Sequence, residues 1–271
     1  MKPAGLENPF GGEFLYFDSC VSTMDEARRL SAGASHGTVV MAGLQSGGRG
    51  RFPSRSWVAS AGKNLTFTLI LRYSGFSSVP VALTLRCGIA VARAIEALEP
   101  LLSPLVAVKW PNDVMLGDKK CAGLLAEYDG SVVLLGIGVN VAEDFGGAGR
   151  TDAPLNAVSI AGALAALDEA AGADCKDAPH SIQRLLEKVL AELFVTLSPD
   201  FDCLWRAELE KRLYMKGRSV RFVTGAAAAP RTVSGMLAGI GAGGELLVIP
   251  AGKHEVEAFA AGEISLNRAA F

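Results

Sequence analysis

The chain has 271 residues, half of them hydrophobic, and a formal net charge of -2 at pH 7. This much apolar material can bury a full core, which excludes an intrinsically disordered chain. The 26 basic and 28 acidic residues nearly balance, so a global basic surface for nucleic acid is absent and any such site would have to be a local patch. The length suits one large domain, or one large and one small domain.

The cysteines and the N-terminal segment indicate the cellular compartment in which the protein works. The five cysteines are odd in number, widely spaced and without a Cys-x-x-Cys pair, which argues against a disulfide framework or a zinc knuckle. The N-terminus lacks the apolar segment of a secretory signal, and no apolar stretch reaches the roughly 18–20 residues of a membrane span. We therefore predict a cytoplasmic protein without membrane association.

The first part of the chain mixes predicted strands and helices. Strands are predicted at 13–18, 38–45, 64–71 and 105–109, and helices at 23–32 and 80–99. Thr23 and Glu26 have the spacing of a capping box, which places the start of the first helix at Thr23. Within 64–71, apolar residues alternate with Thr66 and Thr68, a pattern that predicts a strand with one buried face.

In the second part of the chain, predicted strands and predicted helices follow one another in groups instead of alternating. Strands at 119–127 and 131–139 flank a hairpin turn, a polar loop covers 141–153, and two or three helices follow within 156–213. Short strands and glycine-rich turns over 217–271 predict a small β-barrel or sandwich. The order favours an α+β fold, a mixed and mainly antiparallel sheet with helices on one face, over a doubly wound nucleotide fold. We expect two domains, at 1–215 and 216–271.

A glycine- and arginine-rich loop is the first candidate functional segment. It runs from Gln45 to Arg51 and contains Gly48, Arg49 and Gly50. Glycines let a backbone approach an anion, and arginines add forked donors for phosphate or carboxylate. No Gly-Lys-Ser/Thr ends it, so it is not a Walker A loop. A mobile surface loop with incidental arginines remains an equal alternative.

Lys109-Trp110-Pro111-Asn112-Asp113 is the second candidate segment. Proline fixes the exit from the predicted buried strand, which delivers Lys109 and Asp113 together at the strand end. The lysine could hold a carboxylate or phosphate, and the aspartate a metal or a hydroxyl. Ordinary turn chemistry explains Pro-Asn-Asp equally well, but it leaves the adjoining Lys-Trp unexplained.

Two further strands carry candidate residues. Lys120 enters a strand of small apolar residues and could neutralise a developing phosphate charge, although a solvated hairpin lysine is the simpler reading. Gly136 and Gly138 would thin the wall of a cavity beside Asn140, or else mark a bulge in a packed sheet. The three histidines are isolated in sequence and form no metal-ligand cluster.

Taken in chain order, these segments resemble the biotin–protein ligases. The matching segments are Gln45-x-x-Gly-Arg-Gly-Arg51, Trp57 with Asn64-Leu65, Lys109-Trp-Pro-Asn-Asp113, Lys120-x-Ala-Gly-Leu-Leu-x-Glu127, Gly136-x-Gly-x-Asn140 and Gly262-Glu-Ile-Ser-Leu266. The resemblance covers residues 13–271. It implies the class II synthetase-like fold of biotin and lipoate ligases, followed by a small SH3-like β-barrel.

The resemblance also implies a two-step reaction. Biotin and Mg-ATP first form biotinyl-5′-adenylate and pyrophosphate, and a lysine of a biotin carboxyl carrier protein then attacks the mixed anhydride and releases AMP. ATP, Mg²⁺ and biotin are thus the expected small molecules, and no metal is expected to be held by the protein itself. Only about a dozen residues precede the first predicted strand, so we expect a monofunctional ligase without an operator-binding helix-turn-helix and without DNA binding.

Site residues follow from the same motifs. Biotin-side polar contacts match Ser22, Thr23 and Gln45, and the loop that closes over biotin and the adenylate matches Gly48, Arg49, Gly50 and Arg51. The lysine at the reacting carboxylate matches Lys120, while Lys109 and Asp113 match residues around the nucleotide and the incoming amine. Pocket-lining positions match Gly123, Gly136, Gly138 and Asn140, and Trp57 matches an aromatic beside adenine.

Two departures from the family pattern bear on these assignments. The family usually writes Asp-Ser-Thr-Asn at the first motif, where this chain has Val21-Ser-Thr-Met24, and an alignment through Asp18-Ser19 is possible. After the arginine loop, Phe52-Pro-Ser-Arg-Ser56 replaces the commoner short basic stretch of the family. A lipoate or octanoate ligase of the same fold is the alternative enzyme, and a biotin-binding regulator is the alternative outside catalysis.

Overall fold

The computed structural model describes residues 5–51, 56–57, 60–145, 156–171, 181–225 and 230–264. Its two main parts are a seven-stranded mixed sheet and a five-stranded antiparallel sheet that follows it in the chain. Within these ranges no helix is both long enough and apolar enough to cross a membrane.

The large sheet supplies the frame of the molecule. Its strands are β1 (Phe14–Phe17), β2 (Thr38–Ala42), β5 (Asn64–Arg72), β6 (Val106–Lys109), β7 (Asp113–Leu116), β8 (Lys119–Asp129) and β9 (Val132–Asn140). The order across the sheet is β1-β2-β5-β9-β8-β7-β6, and only the β1–β2 pair is parallel. A separate two-stranded ribbon joins β3 (Gly48–Arg49) to β4 (Ser56–Trp57). The mixed, mainly antiparallel sheet predicted from the sequence is confirmed.

Helices cover both faces of this sheet, but unequally. The helices are α1 (Thr23–Leu30), α2 (Leu83–Leu98), α3 (Ile160–Ala171), α4 (Ile182–Thr196) and α5 (Trp205–Glu210). The four later helices share one large core with the sheet, as expected for helices on one face. Helix α1 departs from that expectation, because Met24 and Ala27 pack with Val40 and Ile70 in a second cluster on the opposite face.

Strand β5 shows why both faces are needed. Leu65, Phe67 and Leu69 belong to the main core, as the alternation predicts. Thr66 and Thr68 are equally buried, because the opposite face lies beneath α1 and a cavity instead of facing water. The alternation therefore separates an apolar face from a buried polar one.

Three local details differ from the sequence prediction. Ser22, rather than Thr23, occupies the N-cap of α1 and makes no side-chain capping bond, so the predicted capping box is wrong. Thr23 instead hydrogen-bonds Gln45. Strand β7 was not predicted, because its four residues lie between two turns. The hairpin between β8 and β9 is confirmed, although β8 continues through Asp129, one residue before the turn at Gly130.

The C-terminal sheet continues the core of the large sheet. Its strands are β10 (Ser219–Thr224), β11 (Arg231–Ile240), β12 (Leu246–Pro250), β13 (Glu257–Phe259) and β14 (Glu263–Ile264), in the order β13-β12-β11-β10-β14. Phe222, Leu237 and Val248 are fully buried and belong to the main core cluster. The two sheets therefore share one apolar interior.

A buried arginine joins α2 to the end of α4. The Arg86 side chain is 1% exposed, and its guanidinium donates to the carbonyls of Thr196 (2.7 Å) and Ser198 (3.0 Å). It also pairs with Asp202 at 2.6 Å, whose side chain is 66% exposed. The Thr196 carbonyl lies at the end of α4, where backbone acceptors have no helical partner. The Ser198 carbonyl lies beyond the helix and also accepts from the Phe201 N–H at 3.1 Å.

We expect Arg86→Met to lower the free energy of unfolding by about 2 kcal/mol, since it leaves the buried Thr196 carbonyl without a donor and removes one of the two donors to the Ser198 carbonyl. Asp202→Asn is the matched control, and its exposed carboxylate should contribute no more than about 1 kcal/mol. Urea unfolding followed by circular dichroism measures both. Equal losses in the two variants would contradict a role centred on the carbonyls.

Candidate active site

A cavity of about 640 Å³ opens on the α1 side of the large sheet. Its walls hold every site residue expected from the sequence except Gly48: Ser22, Thr23, Gln45, Arg49, Gly50, Arg51, Trp57, Lys109, Asp113, Lys120, Gly123, Gly136, Gly138 and Asn140. Segments separated by almost 120 residues thus meet in one place. Gly48 lies just behind the wall, where it pairs with Trp57 in the β3–β4 ribbon.

The strand register explains why these motifs converge. Lys109 pairs with Asp113, and Asp113 pairs with Gly123 on the next strand. Gly123 pairs with Gly138, which in turn pairs with Thr66. One row across five strands therefore carries residues from three of the sequence motifs.

A β-bulge places Lys120 on the cavity side. Strands β7 and β8 pair Val114 with Ala122 but Met115 with Lys120, so Cys121 is the extra residue. Both Cys121 and Ala122 are fully buried in the core. In a regular strand Lys120 would point to the same face as Ala122, because side chains alternate. The extra residue reverses this, in keeping with the use of bulges to redirect a side chain beside a functional site.

Asp113 links two lysines at the centre of the cavity. Its carboxylate lies 2.6 Å from Lys120 Nζ and 3.9 Å from Lys109 Nζ. The Lys109 side chain is 4% exposed, whereas that of Lys120 is 33% exposed. Two ammonium groups around one carboxylate leave a local excess of positive charge. This cluster can attract and orient an anionic ligand.

The segment that carries Asp113 is held on several sides. Thr84 Oγ1 donates to the Pro111 carbonyl at 3.0 Å. Asn112 donates through its side chain to the Leu124 carbonyl (2.7 Å) and accepts from the Leu124 N–H (2.9 Å). The turn between β6 and β7 is therefore fixed to both α2 and β8.

The end of the cavity near α1 is polar and uncharged. Gln45 Oε1 accepts from the backbone N–H of Thr23 at 2.9 Å and from its hydroxyl at 3.2 Å. Thr68 Oγ1 donates to Thr23 Oγ1 at 2.9 Å. Gln45 and Ser22 are themselves buried. These bonds orient amide and hydroxyl groups for a neutral polar ligand.

Apolar groups lie next to this polar end. Met24, Leu125 and Ile137 line the cavity beside Gly136. A Cβ at Gly136 would lie 2.8 Å from Met24 Sδ, so the methionine side chain rests directly on the strand. The cavity therefore joins an uncharged polar end and an apolar wall to the cationic centre around Lys120.

The arginine loop is tied down at two points. Arg49 donates to the Asp25 carboxylate at 2.6 Å and 3.3 Å, and Asp25 lies on α1. Arg51 donates to the carbonyl of Gly262 at 2.6 Å. Arg28 pairs with Asp25 and also with Glu127. The loop is thus bonded to α1 through Arg49 and to the C-terminal sheet through Arg51, and both arginines line the cavity.

Trp57 lies flat against two strands of the sheet. A Cβ at Gly138 would stand 2.5 Å from Trp57 Cε2, and one at Gly123 would stand 3.3 Å from Trp57 Cζ3. Glycine is required at position 138 because the indole occupies the space of a side chain there, whereas a Cβ at Gly123 would first meet the flexible end of Lys120, at 2.9 Å. Lys120 Nζ lies 5.9 Å from the Trp57 ring centroid. The cationic centre and an aromatic surface are therefore adjacent.

Residues after β9 complete this wall, although they were not predicted as site residues. Asn156 and Ala157 line the cavity. The Lys120 N–H donates to the Asn156 carbonyl (2.7 Å), and the Val158 N–H donates to the Lys120 carbonyl (2.9 Å). Asn140 Nδ2 donates to the Val158 carbonyl at 3.3 Å. The backbone of Lys120 is thereby paired on both sides, a contact that no local sequence pattern signals.

The C-terminal sheet also contributes cavity residues that were not predicted as site residues. Val223, Glu263 and Ile264 line the cavity. Trp110, which is buried, donates its indole N–H to the Gly244 carbonyl at 3.0 Å. The Gly-Glu-Ile resemblance at the chain's end was a usable signal for Glu263 and Ile264, but nothing marked Val223.

The cysteines that the structure describes do not line the cavity described above. Cys20, Cys87, Cys121 and Cys203 are free thiols. Burial raises the pKa of Cys121 to about 12, and burial with Glu26 and Asp25 nearby raises that of Cys20 to about 11. Among the described residues no group of three His, Cys, Asp or Glu side chains could hold a metal ion. Arg55, Cys175, Ser265 and Leu266 lie outside the described residues.

Comparison with known families gives a match that coincides with this site. Residues 14–144 match the Biotin/lipoate A/B protein ligase family. The chain is 41% identical over 128 residues to a biotin--[acetyl-CoA-carboxylase] ligase of Paracoccus denitrificans, covering 45% of this chain and 51% of the relative. It is 36% identical over 144 residues to the bifunctional ligase/repressor BirA of Bacillus spizizenii, covering 51% of this chain and 43% of the relative. The match thus spans about half the length of these curated relatives.

The similarity in fold to a solved structure extends beyond residues 14–144. A solved biotin protein ligase of Aquifex aeolicus, in complex with biotin and ATP, superposes with a TM-score of 0.71 at 23% identity. The superposition covers 93% of this chain and 97% of the other. It therefore includes both sheets, and not only residues 14–144.

Proposed function

Because residues 14–144 match the Biotin/lipoate A/B protein ligase family, we propose that this chain is a biotin–protein ligase. It activates biotin with ATP to biotinyl-5′-AMP and transfers the biotinyl group to a lysine of a biotin carboxyl carrier protein. One observation carries the proposal: a single cavity joins an uncharged polar end, an apolar wall, the Lys109–Asp113–Lys120 cluster and an aromatic surface.

The chemistry explains why the cationic cluster stands at the centre. A biotin carboxylate oxygen attacks the α-phosphorus of Mg-ATP, a new P–O bond forms, and pyrophosphate leaves. The two reactants are both anions, so they approach only where positive charge offsets their repulsion. Lys120, aimed into the cavity by the bulge at Cys121, supplies that charge at the reacting carboxylate.

The second step uses the same centre. The carrier's lysine amine attacks the acyl carbon of the mixed anhydride, the C–O bond to phosphate breaks, AMP leaves, and the amine gives up a proton. Asp113, held between Lys109 and Lys120, would orient the incoming amine. Lys109 is buried, and its ammonium group 3.9 Å from the Asp113 carboxylate would help to hold that carboxylate in place.

The two ends of the cavity would divide the substrates. Ser22, Thr23 and Gln45 form the neutral polar end, which suits the uncharged ureido ring of biotin, and Met24 lies against the apolar remainder. The Trp57 indole offers a flat surface to adenine at the other end, where Gly138 and Asn140 line the cavity. This division places the biotin carboxylate and the α-phosphate near Lys120.

The arginine loop would close over the activated acid. Arg49 and Arg51 both line the cavity, and their bonds to Asp25 and to Gly262 hold the loop across the mouth. Excluding water protects a mixed anhydride from hydrolysis before the carrier lysine arrives. Gly48 and Gly50 give this loop a narrow backbone beside Trp57.

We divide the chain into a catalytic unit, 1–215, and a smaller C-terminal unit, 216–271. The first holds the seven-stranded sheet and the residues assigned to catalysis. The second holds the five-stranded sheet and adds Val223, Glu263 and Ile264 to the cavity wall.

The decisive experiment is the intact mass of a purified biotin carboxyl carrier domain after incubation with this chain, biotin and Mg-ATP. We expect a gain of one biotinyl group that disappears when ATP or biotin is left out. A lipoyl or octanoyl adduct in place of the biotinyl one would establish the alternative ligase. No adduct with any of the acids would leave a biotin-binding regulator as the explanation.

We expect Lys120→Ala to slow biotin-dependent pyrophosphate release by about 100-fold or more, since the charge nearest the reacting carboxylate is lost. Lys119→Ala is the matched control on the adjacent, exposed residue, and it should stay within about twofold of the parent. A stopped-flow pyrophosphate assay measures both. A Lys120→Ala protein that forms the adenylate at the parent rate would refute the assignment.

We expect Arg49→Ala to release biotinyl-5′-AMP at least about fivefold faster, because about 1 kcal/mol of loop closure is lost with the bond to Asp25. The escaping adenylate should then label lysines on bystander proteins. Arg29→Ala, on the exposed side of α1 and 63% exposed, is the control. Single-turnover retention of radiolabelled adenylate on a desalting column gives the rate, and unchanged retention would count against loop closure.

A further inference from the structure

The turn between β11 and β12 makes a contact that none of the roles above requires. This turn, residues 241–245, belongs to the C-terminal sheet, yet the Gly244 carbonyl accepts the indole N–H of Trp110 at 3.0 Å. Trp110 is 2% exposed and immediately precedes the Pro111–Asp113 segment. A buried indole N–H needs such a partner, because leaving it unpaired costs about 1–3 kcal/mol.

The same turn packs tightly against the start of α2. A Cβ at Gly244 would lie 2.8 Å from Ala82 Cβ and 3.7 Å from Leu85 Cδ1. Gly244 has φ +90°, in the left-handed region that favours glycine. Ala82 is the N-cap of α2 and has φ 55°, so two left-handed residues face one another across this contact.

Both contacts lead to the aspartate at the centre of the cavity. Thr84, on the same first turn of α2, donates to the Pro111 carbonyl at 3.0 Å. Gly244 therefore supports Trp110 directly and Pro111 through α2. Two residues further on, Asp113 reaches Lys120 at 2.6 Å. Moving the turn would move the carboxylate relative to the ammonium group.

We propose that the Gly244 turn is a positioning element for adenylate formation, which keeps Asp113 and Lys120 aligned from the C-terminal sheet. The inference rests on the proposed ligase function. Its effect is confined to one end of the cavity, because the contacts of Ser22, Thr23 and Gln45 involve neither α2 nor the turn. The turn thus controls the rate of the chemical step and not the binding of the acid.

Gly244→Ala tests the inference in the full chain. The new Cβ must displace Ala82 or the turn, and a misplacement of about 1 Å in a reacting group costs about 100-fold in rate. We expect kcat for pyrophosphate release to fall by about 10- to 100-fold. The Kd for biotin, measured by calorimetry without ATP, should stay unchanged.

Gly252→Ala is the matched control. Gly252 lies in another turn of the same sheet with φ +77°, and a Cβ there would meet nothing within 4 Å. It imposes a comparable backbone strain without the contact, so it should leave kcat at the parent value. A loss of kcat equal to that of Gly244→Ala would show general destabilisation of the C-terminal sheet and overturn the inference.

Ala82→Gly combined with Gly244→Ala supplies the rescue. Removing the Ala82 methyl opens the space that the new Cβ needs, and glycine tolerates φ 55°. We expect the double variant to recover most of the lost kcat, while Ala82→Gly alone matches the parent. Failure to recover would refute the contact as the cause.

Two further readouts keep the result interpretable. Thermal unfolding of every variant identifies one that does not fold. In that case Trp110→Phe replaces Gly244→Ala: it removes the indole N–H that bonds the Gly244 carbonyl, together with part of the buried ring, and it should lower kcat in the same direction. A Gly244→Ala protein with the parent kcat overturns the positioning role. A parent chain that forms no adenylate overturns the ligase function instead, so the two failures are distinguishable.

Discussion

The ion pair between Lys120 and Asp113 is the interaction on which the arrangement of the site depends. It forms only because the register sets β7 beside β8 and because Cys121 is an extra residue that turns Lys120 to the cavity. The supporting contacts come from every side. Lys109 flanks Asp113, Asn156 pairs with the Lys120 backbone, and Thr84 fixes the turn before Asp113. A cationic centre built this way is rigid before any ligand arrives, which is what electrostatic stabilisation of a transition state requires.

The two faces of the large sheet have different roles: one packs the main core and the other lines the cavity. One face packs Leu65, Phe67 and Leu69 against the later helices and supplies most of the buried apolar area. The other face carries Thr66 and Thr68, the glycines beneath Trp57, and the cavity. Stability and chemistry are thus separated by the alternation of a single strand, so changes on the cavity face can alter ligand contacts while leaving the main core intact.

Much of the fold could be predicted because its signals are local. The alternation in 64–71, the Gly130 turn and the segment 109–113 each fix structure within a few residues. Predictions failed where distant residues compete: Thr23 bonds Gln45 instead of capping α1, and the bulge at Cys121 exists because Ala122 and Cys121 both enter the core. Local motifs also predicted most of the residues that line the cavity, but Val223 and Asn156 reach it only through tertiary packing. Strand register brings the predicted motifs together, whereas Val223 and Asn156 reach the cavity from segments that carry no recognisable motif.

Two contacts in the cavity wall join residues far apart in the chain. Arg51 bonds the Gly262 carbonyl across 211 positions, and Trp110 bonds that of Gly244 across 134. During synthesis the large sheet can form while the last strands are still inside the ribosome, because domains fold as their residues emerge. The cavity, however, stays open on one side until those strands are released. Small ligands that need the complete wall can therefore stabilise only a chain whose C-terminal sheet has already formed, because they bind the state that holds the whole site.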